Sequence, residues 1–158
     1  KAPRTMFKLK TILVPIDFGD ASKQALEMAV DFANRFDASL VLVHTWELPV
    51  YSYMGLEVAP IDLLTPIQES AKQMLDEVLA ETKKKVPTTT ALLKQGTPWR
   101  EILDAIEKTK PDLVVMGTHG RKGISRAVLG SVAEKIVRTS PVPVLTVGAR
   151  TTEQEKNS

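Results

Sequence analysis

The chain has no cysteine among its 158 residues. Neither a disulfide framework nor a thiolate metal site is therefore open to it. Aromatic residues make up only 5%, and there are 2 histidines and 8 glycines in all. No apolar run approaches the roughly 20 residues that a membrane helix requires, so no membrane partner is expected. The opening stretch KAPRTMFKLK lacks the apolar segment of a signal peptide. With the absence of cysteine, this leads us to expect a cytoplasmic protein. Charge of one sign is missing too: 21 basic residues face 19 acidic ones, a formal net charge of +2. So small an excess gives no reason to expect nucleic acid as a partner. The densest basic run, Lys83-Lys84-Lys85, closes a helical pattern, where the macrodipole favours cations.

What is present is a regular alternation of two periodicities. TILVPIDF from Thr11, SLVLVHT from Ser39, TTTALLKQG ending at Gly96, DLVVMG at 112–117 and PVPVLTVG near the end read as strands. Their continuous apolar character implies strands covered on both faces, as in parallel sheets. Between them lie four helical patterns. Ala25, Ala29, Phe32, Ala33 and Phe36 share one face of the first, with Asp20 or Ser22 available as its cap. The second has Thr65 as N-cap, Pro66 at the first helical position and Gln68 completing a capping box; Ile67, Ala71, Met74, Leu75, Val78 and Leu79 form its stripe. Thr97 and Pro98 open the third, which aligns Trp99, Ile102, Leu103 and Ile106, and Pro111 stops it. Ser131 and Glu134 offer another capping box at the start of the fourth.

The order β-α-β-α-β-α-β-α-β predicts a single α/β domain over residues 6–149: a doubly wound, five-stranded parallel sheet with helices on both faces. Residues 1–5 and 150–158 are expected to be flexible termini. The connection 46–64 is unusually long for a compact domain and reads equally as a lid or partner surface, or as an irregular segment packed on the body.

Half of the glycines fall in one stretch, MGTHGRKGISRAVLGS, at 117, 120, 123 and 130. A phosphate approaches a strand-to-helix turn closely where side chains are missing, and main-chain N–H groups at the helix start then hold it. Gly130 before Ser131 meets that demand, and the N–H groups of Val132 and Ala133 fall in the first turn, where they lack intrahelical partners. Arg121 and Lys122 add positive charge. Against the site stands Glu134, whose carboxylate would come near a phosphate if it folded back on Ser131. The glycines read equally well as an ordinary surface loop, because neither G-x-x-x-x-G-K-[ST] nor G-x-G-x-x-G is present.

The run Gly117-x2-Gly120-x9-Gly130-Ser131 resembles the nucleotide-binding motif of the universal stress protein family. ILVPIDFGDAS at 12–22 is similar to that family's first strand and turn, and SPVPVLTV at 140–147 to its last strand; likeness extends over residues 8–148. The resemblance implies a Rossmann-like sheet of the adenine nucleotide alpha hydrolase type, an ATP or AMP site and a homodimer. It assigns Asp17 to the nucleoside end, where a carboxylate accepts from ribose or the adenine amino group. Pro15 and Ile16 would shape the base pocket, and the backbone of Val43 would meet the adenine edge. Met116 and Gly117 would lie along the nucleoside and Gly120 and Gly130 along the phosphates, with Ser131 and Val132 donating to them. Without the resemblance, Asp17 reads as the cap of the turn and Val43 as core. His119 either bonds a phosphate or orders the loop through a backbone carbonyl, and His44 reads as a satisfied core residue. Any Mg²⁺ or Mn²⁺ would be held through the phosphates, since the two histidines and Asp17 make no metal set. Gly19 stands where many members have serine, which removes a hydroxyl contact there.

Three functions follow: a nucleotide-binding regulatory module of the stress response, a slow ATPase, and a homodimeric interaction protein that needs no nucleotide. For catalysis the chain offers no evident base, arginine finger or carboxylate pair. Pro143 cannot donate to a ladder and marks the last strand as a sheet edge, so a homodimer is expected to form through Val142 to Val147.

Overall fold

The apolar runs and amphipathic segments alternate in space as they do along the chain. In order they form β1 (Thr11–Pro15), α1 (Asp20–Phe36), β2 (Ser39–Trp46), α2 (Leu64–Lys85), β3 (Thr90–Gln95), α3 (Pro98–Thr109), β4 (Leu113–Gly117), α4 (Ser131–Thr139) and β5 (Val144–Val147). These come from a computed structural model that describes residues 6–48, 64–119 and 128–149. Both termini (1–5 and 150–158), Gly120, Arg121 and residues 49–63 of the long connection lie outside the described residues. Among the described residues no helix is long and apolar enough to cross a membrane.

The five strands form one parallel sheet in the order β3-β2-β1-β4-β5. Alternate side chains of each strand leave by opposite faces. Ile12, Val14, Leu40, Leu42 and Val115 pack with Ala25, Ala29 and Ala33 of α1 and Leu75 of α2. Leu13, Val41, Val43, Val114 and Met116 pack on the other face with Ile102 and Ile106 of α3 and Ile136 of α4. A buried side chain of this kind stabilises by about 1.5–3 kcal/mol relative to exposure, so these two layers carry the fold. The chain reverses direction across the sheet between β1 and β4, and a crevice opens there beyond the strands' carboxyl ends.

Helix starts depart from the sequence expectations. Gly19, in extended conformation, is the N-cap of α1, so Asp20 is already helical and Ser22 turns inward at 4% exposure. α2 already includes Leu64, which puts Thr65 and Pro66 inside its first turn, where proline is tolerated. Thr97 is the N-cap of α3 with Pro98 behind it, as expected. The last strand starts at Val144, one residue after Pro143, and lies at a sheet edge; β3 forms the other.

Gly117 has a packing role that its spacing did not reveal. A Cβ at this position would lie 2.8 Å from the Ala21 carbonyl carbon and 2.9 Å from Ser22 N. The missing side chain thus lets the first turn of α1 close onto the end of β4. On the opposite face, Lys94 of β3 is paired with Asp104 of α3 and lies 3.4 Å from Glu101, while Lys108 approaches Asp104 at 2.9 Å. Hydrogen bonding from Lys108, and then from Lys94, holds the Asp104 carboxyl below its usual range; hydrogen bonding to Asp104 holds the Lys94 ammonium above its own.

Two outcomes are expected. Gly117→Ala should destabilise the domain by about 1–3 kcal/mol, seen as a melting temperature lowered by several degrees, whereas Gly148→Ala, whose Cβ would meet nothing closer than 3.8 Å, should be near neutral. The Asp104 contribution is complete above the unfolded carboxylate value of about 3.9 and disappears as pH falls through its lower folded value. That of Lys94 is complete below about 10.4 and disappears as pH rises through its higher folded value. The difference in urea midpoint between the wild type and Asp104→Asn should therefore be flat from about pH 5 to 9 and narrow on both sides.

Candidate functional site

At the end of β1 the chain makes a turn that its own polar groups hold. The Ile16 N–H donates to the Val43 C=O at 2.7 Å, a last bond to β2 just after the final residue pair, Pro15 and Val43. The Asp17 N–H donates to Ser22 Oγ at 3.2 Å, and the Ser22 hydroxyl donates to the Pro15 C=O at 3.4 Å. Asp17 Oδ1 in turn accepts the Gly19 N–H at 2.8 Å. Between them Phe18 takes a left-handed conformation (φ 64°), uncommon for a bulky side chain. The turn-capping role of Asp17 is thus observed, and its carboxylate is at the same time on the wall of the crevice.

The second junction is closed by main chain. The Gly130 N–H donates to the Thr118 C=O at 2.7 Å, which brings the start of α4 back to the end of β4. The first helical hydrogen bond of α4 runs from the Glu134 N–H to the Gly130 C=O at 2.9 Å. The N–H groups of Ser131, Val132 and Ala133 precede it and have no carbonyl of their own helix to bond. The expected capping box is not formed: Gly130 is the N-cap, Ser131 is already helical, and Glu134 bonds Arg138 one turn further on. Its carboxylate accordingly does not fold back onto Ser131.

These junctions border one cavity of about 940 Å³, near the upper end of the ~300–1,000 Å³ usual for small-molecule sites. Pro15, Ile16, Asp17, Val43, Met116, Gly117, His119, Gly130, Ser131, Val132 and Ala133 all line it. Gly120 and Arg121 lie outside the described residues. The Val43 C=O is used by Ile16, so its carbonyl already serves the sheet. Among the described residues His119 bonds no backbone carbonyl: its Nδ1 lies 2.9 Å from the Thr118 hydroxyl. Its Nε2 is buried and has no hydrogen-bond partner among the described residues. A buried polar atom calls for a partner, and the residue that carries this one lines the cavity.

Part of the wall was not foreseen. His44, expected as core, is half-buried and faces the cavity, donating from Nδ1 to the Ile16 C=O at 2.7 Å. Trp46 lines it too, as do Ile67, Ser70 and Met74 of α2 and Pro98 and Ile102 of α3. The available signal was topological. Helices that follow parallel strands begin at the strands' carboxyl edge, so the first turns of α2 and α3 had to face the same crevice. Among the described lining residues the ionisable ones are Asp17, His44 and His119, and no group of three or more metal-ligating side chains occurs among the described residues. The cavity thus combines apolar walls (Ile16, Val43, Met116), a hydrogen-bond acceptor at Asp17 and a cluster of main-chain donors at α4. That set suits a ligand with a flat apolar part, hydroxyl or amino donors and an anion.

Comparison with known proteins gives a consistent picture. A family model described as the universal stress protein family matches residues 8–148. A universal stress protein of Thermus aquaticus is 40% identical over 138 residues, covering 87% of this chain and 98% of the relative. One of Methanocaldococcus jannaschii is 36% identical over 143 residues, covering 87% and 81%. Among solved structures, UspA of Lactobacillus plantarum superposes with a TM-score of 0.73 at 24% identity, over 89% of this chain and 98% of that one. A universal stress protein in complex with cAMP has a TM-score of 0.65 at 21% identity (90% and 99% covered). An Arabidopsis thaliana family member with AMP bound has a TM-score of 0.61 at 18% identity (92% and 94% covered).

One hydroxyl serves two main-chain groups of the turn at β1. Ser22→Ala removes the acceptor of the Asp17 N–H and the donor to the Pro15 C=O, so a loss of about 1–3 kcal/mol is expected in urea unfolding, while Ser22→Thr, which keeps the hydroxyl, should recover part of it.

Proposed function

The chain belongs to the universal stress protein family, and from that premise we propose that it binds an adenine nucleotide, ATP or AMP, and works as a regulatory module of the stress response rather than as an efficient catalyst. One observation carries the reading: the first-turn N–H groups of α4, which have no carbonyl of their own helix to bond, border the same cavity as the Asp17 carboxylate. Ser131, Val132 and Ala133 would donate to phosphate oxygens, with Gly130 leaving room for their approach. Asp17 would accept from ribose or the adenine amino group. Pro15, Ile16, Val43 and Met116 would enclose the base, Gly117 would run beside the nucleoside, and the unpartnered Nε2 of His119 suits a phosphate oxygen. Gly120 and Arg121 belong to the same loop by the family motif. Mg²⁺ or Mn²⁺, if bound, would be held through the phosphates. The two neighbours solved with cAMP and with AMP fit this ligand class.

Regulation follows from linkage. Ligand at a hundred times its dissociation constant stabilises the binding form by about 2.7 kcal/mol, enough to change how the β4–α4 loop presents itself without any turnover. The outer side of β5 is the surface through which we propose a homodimer, over Val142 to Val147, because an edge strand offers main-chain groups to a second copy.

The reading is tested by denaturing freshly purified protein, chromatographing the released nucleotide, and following melting as ATP is added. Intact ATP or AMP in the extract and a rise of about 5–10 °C at saturation are expected. Gly130→Val should abolish that rise while keeping the fold, since φ −60° and ψ 157° suit valine. No released nucleotide, together with no thermal shift, would overturn it.

A further inference from the structure

β2 outruns β1. Their pairing stops at Pro15 and Val43, whereas β2 continues to Trp46 against β3 alone. Beyond that point the Ile16 C=O has left the strand. Nδ1 of His44 lies 2.7 Å from it, and because a carbonyl only accepts, Nδ1 must carry the proton. The same imidazole lies against the Phe18 ring, with centroids 4.5 Å apart and planes tilted by 57°. His44 therefore grips the residues on both sides of Asp17, one by a hydrogen bond and the other by ring contact. The gripped turn is also the strained one, since Phe18 has φ 64°, and such a conformation persists only where its surroundings over-determine it.

We propose that His44 is a positioning residue: it holds the Ile16–Phe18 turn so that the Asp17 carboxylate is presented in a fixed orientation to the nucleoside end of the ligand. The inference rests on the adenine-nucleotide reading above. The imidazole acts through Asp17, so its effect on affinity exists only while the carboxylate is there to be oriented. A residue that merely fills space would matter equally with or without Asp17.

The experiment is a double-mutant cycle on ATP affinity, read by calorimetry, with folding checked by circular dichroism. His44→Phe keeps a ring and removes the donor; Phe18→Gly removes the ring contact and accepts the left-handed conformation without strain. Each is made in the wild type and in Asp17→Ala. Each is expected to weaken ATP binding about five-fold when Asp17 is present, and by less than about two-fold in its absence. His44→Asn, which can place an N–H donor near the Nδ1 position, should recover part of the loss. Equal losses in both backgrounds, no loss in either, or an Asp17→Ala variant that binds like the wild type would each overturn the inference. Should His44→Phe not fold, the Phe18→Gly cycle decides. A wild type that takes up no ATP sinks the functional reading itself, which keeps the two failures apart.

Discussion

One main-chain hydrogen bond organises the carboxyl end of the sheet, where the cavity lies: the Gly130 N–H to the Thr118 C=O, 2.7 Å long. It ties the first residue before α4 to the residue after β4, across the ends of the glycine-rich loop. The geometry of α4 then follows. Gly130 becomes the cap, the helical ladder starts at Glu134, and three N–H groups are left unbonded by their own helix. Of these residues Val132 is half-buried and Ala133 buried; main-chain donors in such positions need a partner, and the cavity they border is where one can come from. The aligned peptide dipoles of α4 add partial positive charge at the same place, which favours an anion there.

That bond would be of little use if β1 did not present its own turn opposite. The strand order makes β1 and β4 neighbours whose connections leave to opposite sides, so their carboxyl ends border an open crevice rather than a crossing helix. Gly117 adds to this by letting α1 start almost in contact with β4. Ser22 on that first turn then reaches Asp17 and Pro15. Packing, turn and site are therefore one construction, in which the residue that admits the helix also brings in the hydroxyl that fixes the turn. A carboxylate at residue 17 and the start of α4 at residue 131 border one cavity, although more than a hundred residues separate them.

Much of the architecture was legible in the residues. Continuous apolar strands such as SLVLV imply burial on both faces, and the strict alternation with amphipathic helices leaves few topologies. Helix starts were read less well, because a cap is decided by backbone dihedrals that several polar residues can serve. Ser131 with Glu134 has the pattern of a capping box, yet the Gly130–Thr118 bond shifts the cap back by one residue and Arg138 draws Glu134 away. His44 sits in an apolar run and looked like core, and Trp46 was counted with the long connection although it is the last residue of β2. What leaves His44 beside the cavity is the early end of β1, a relation between two strands that neither strand's pattern contains.

The sequence by itself determined the order of elements, the parallel sheet, the glycine-bearing junction and the presence of a carboxylate after β1, because each depends on periodicity or on residue type over a short span. Only the tertiary structure decided which groups face one another across the crevice: which residue caps α4, that Gly117 serves helix packing, that α2 and α3 supply cavity wall, and that His44 contacts both neighbours of Asp17. These are distances between segments far apart in the chain, and they arise from packing of the whole domain. No local pattern encodes them.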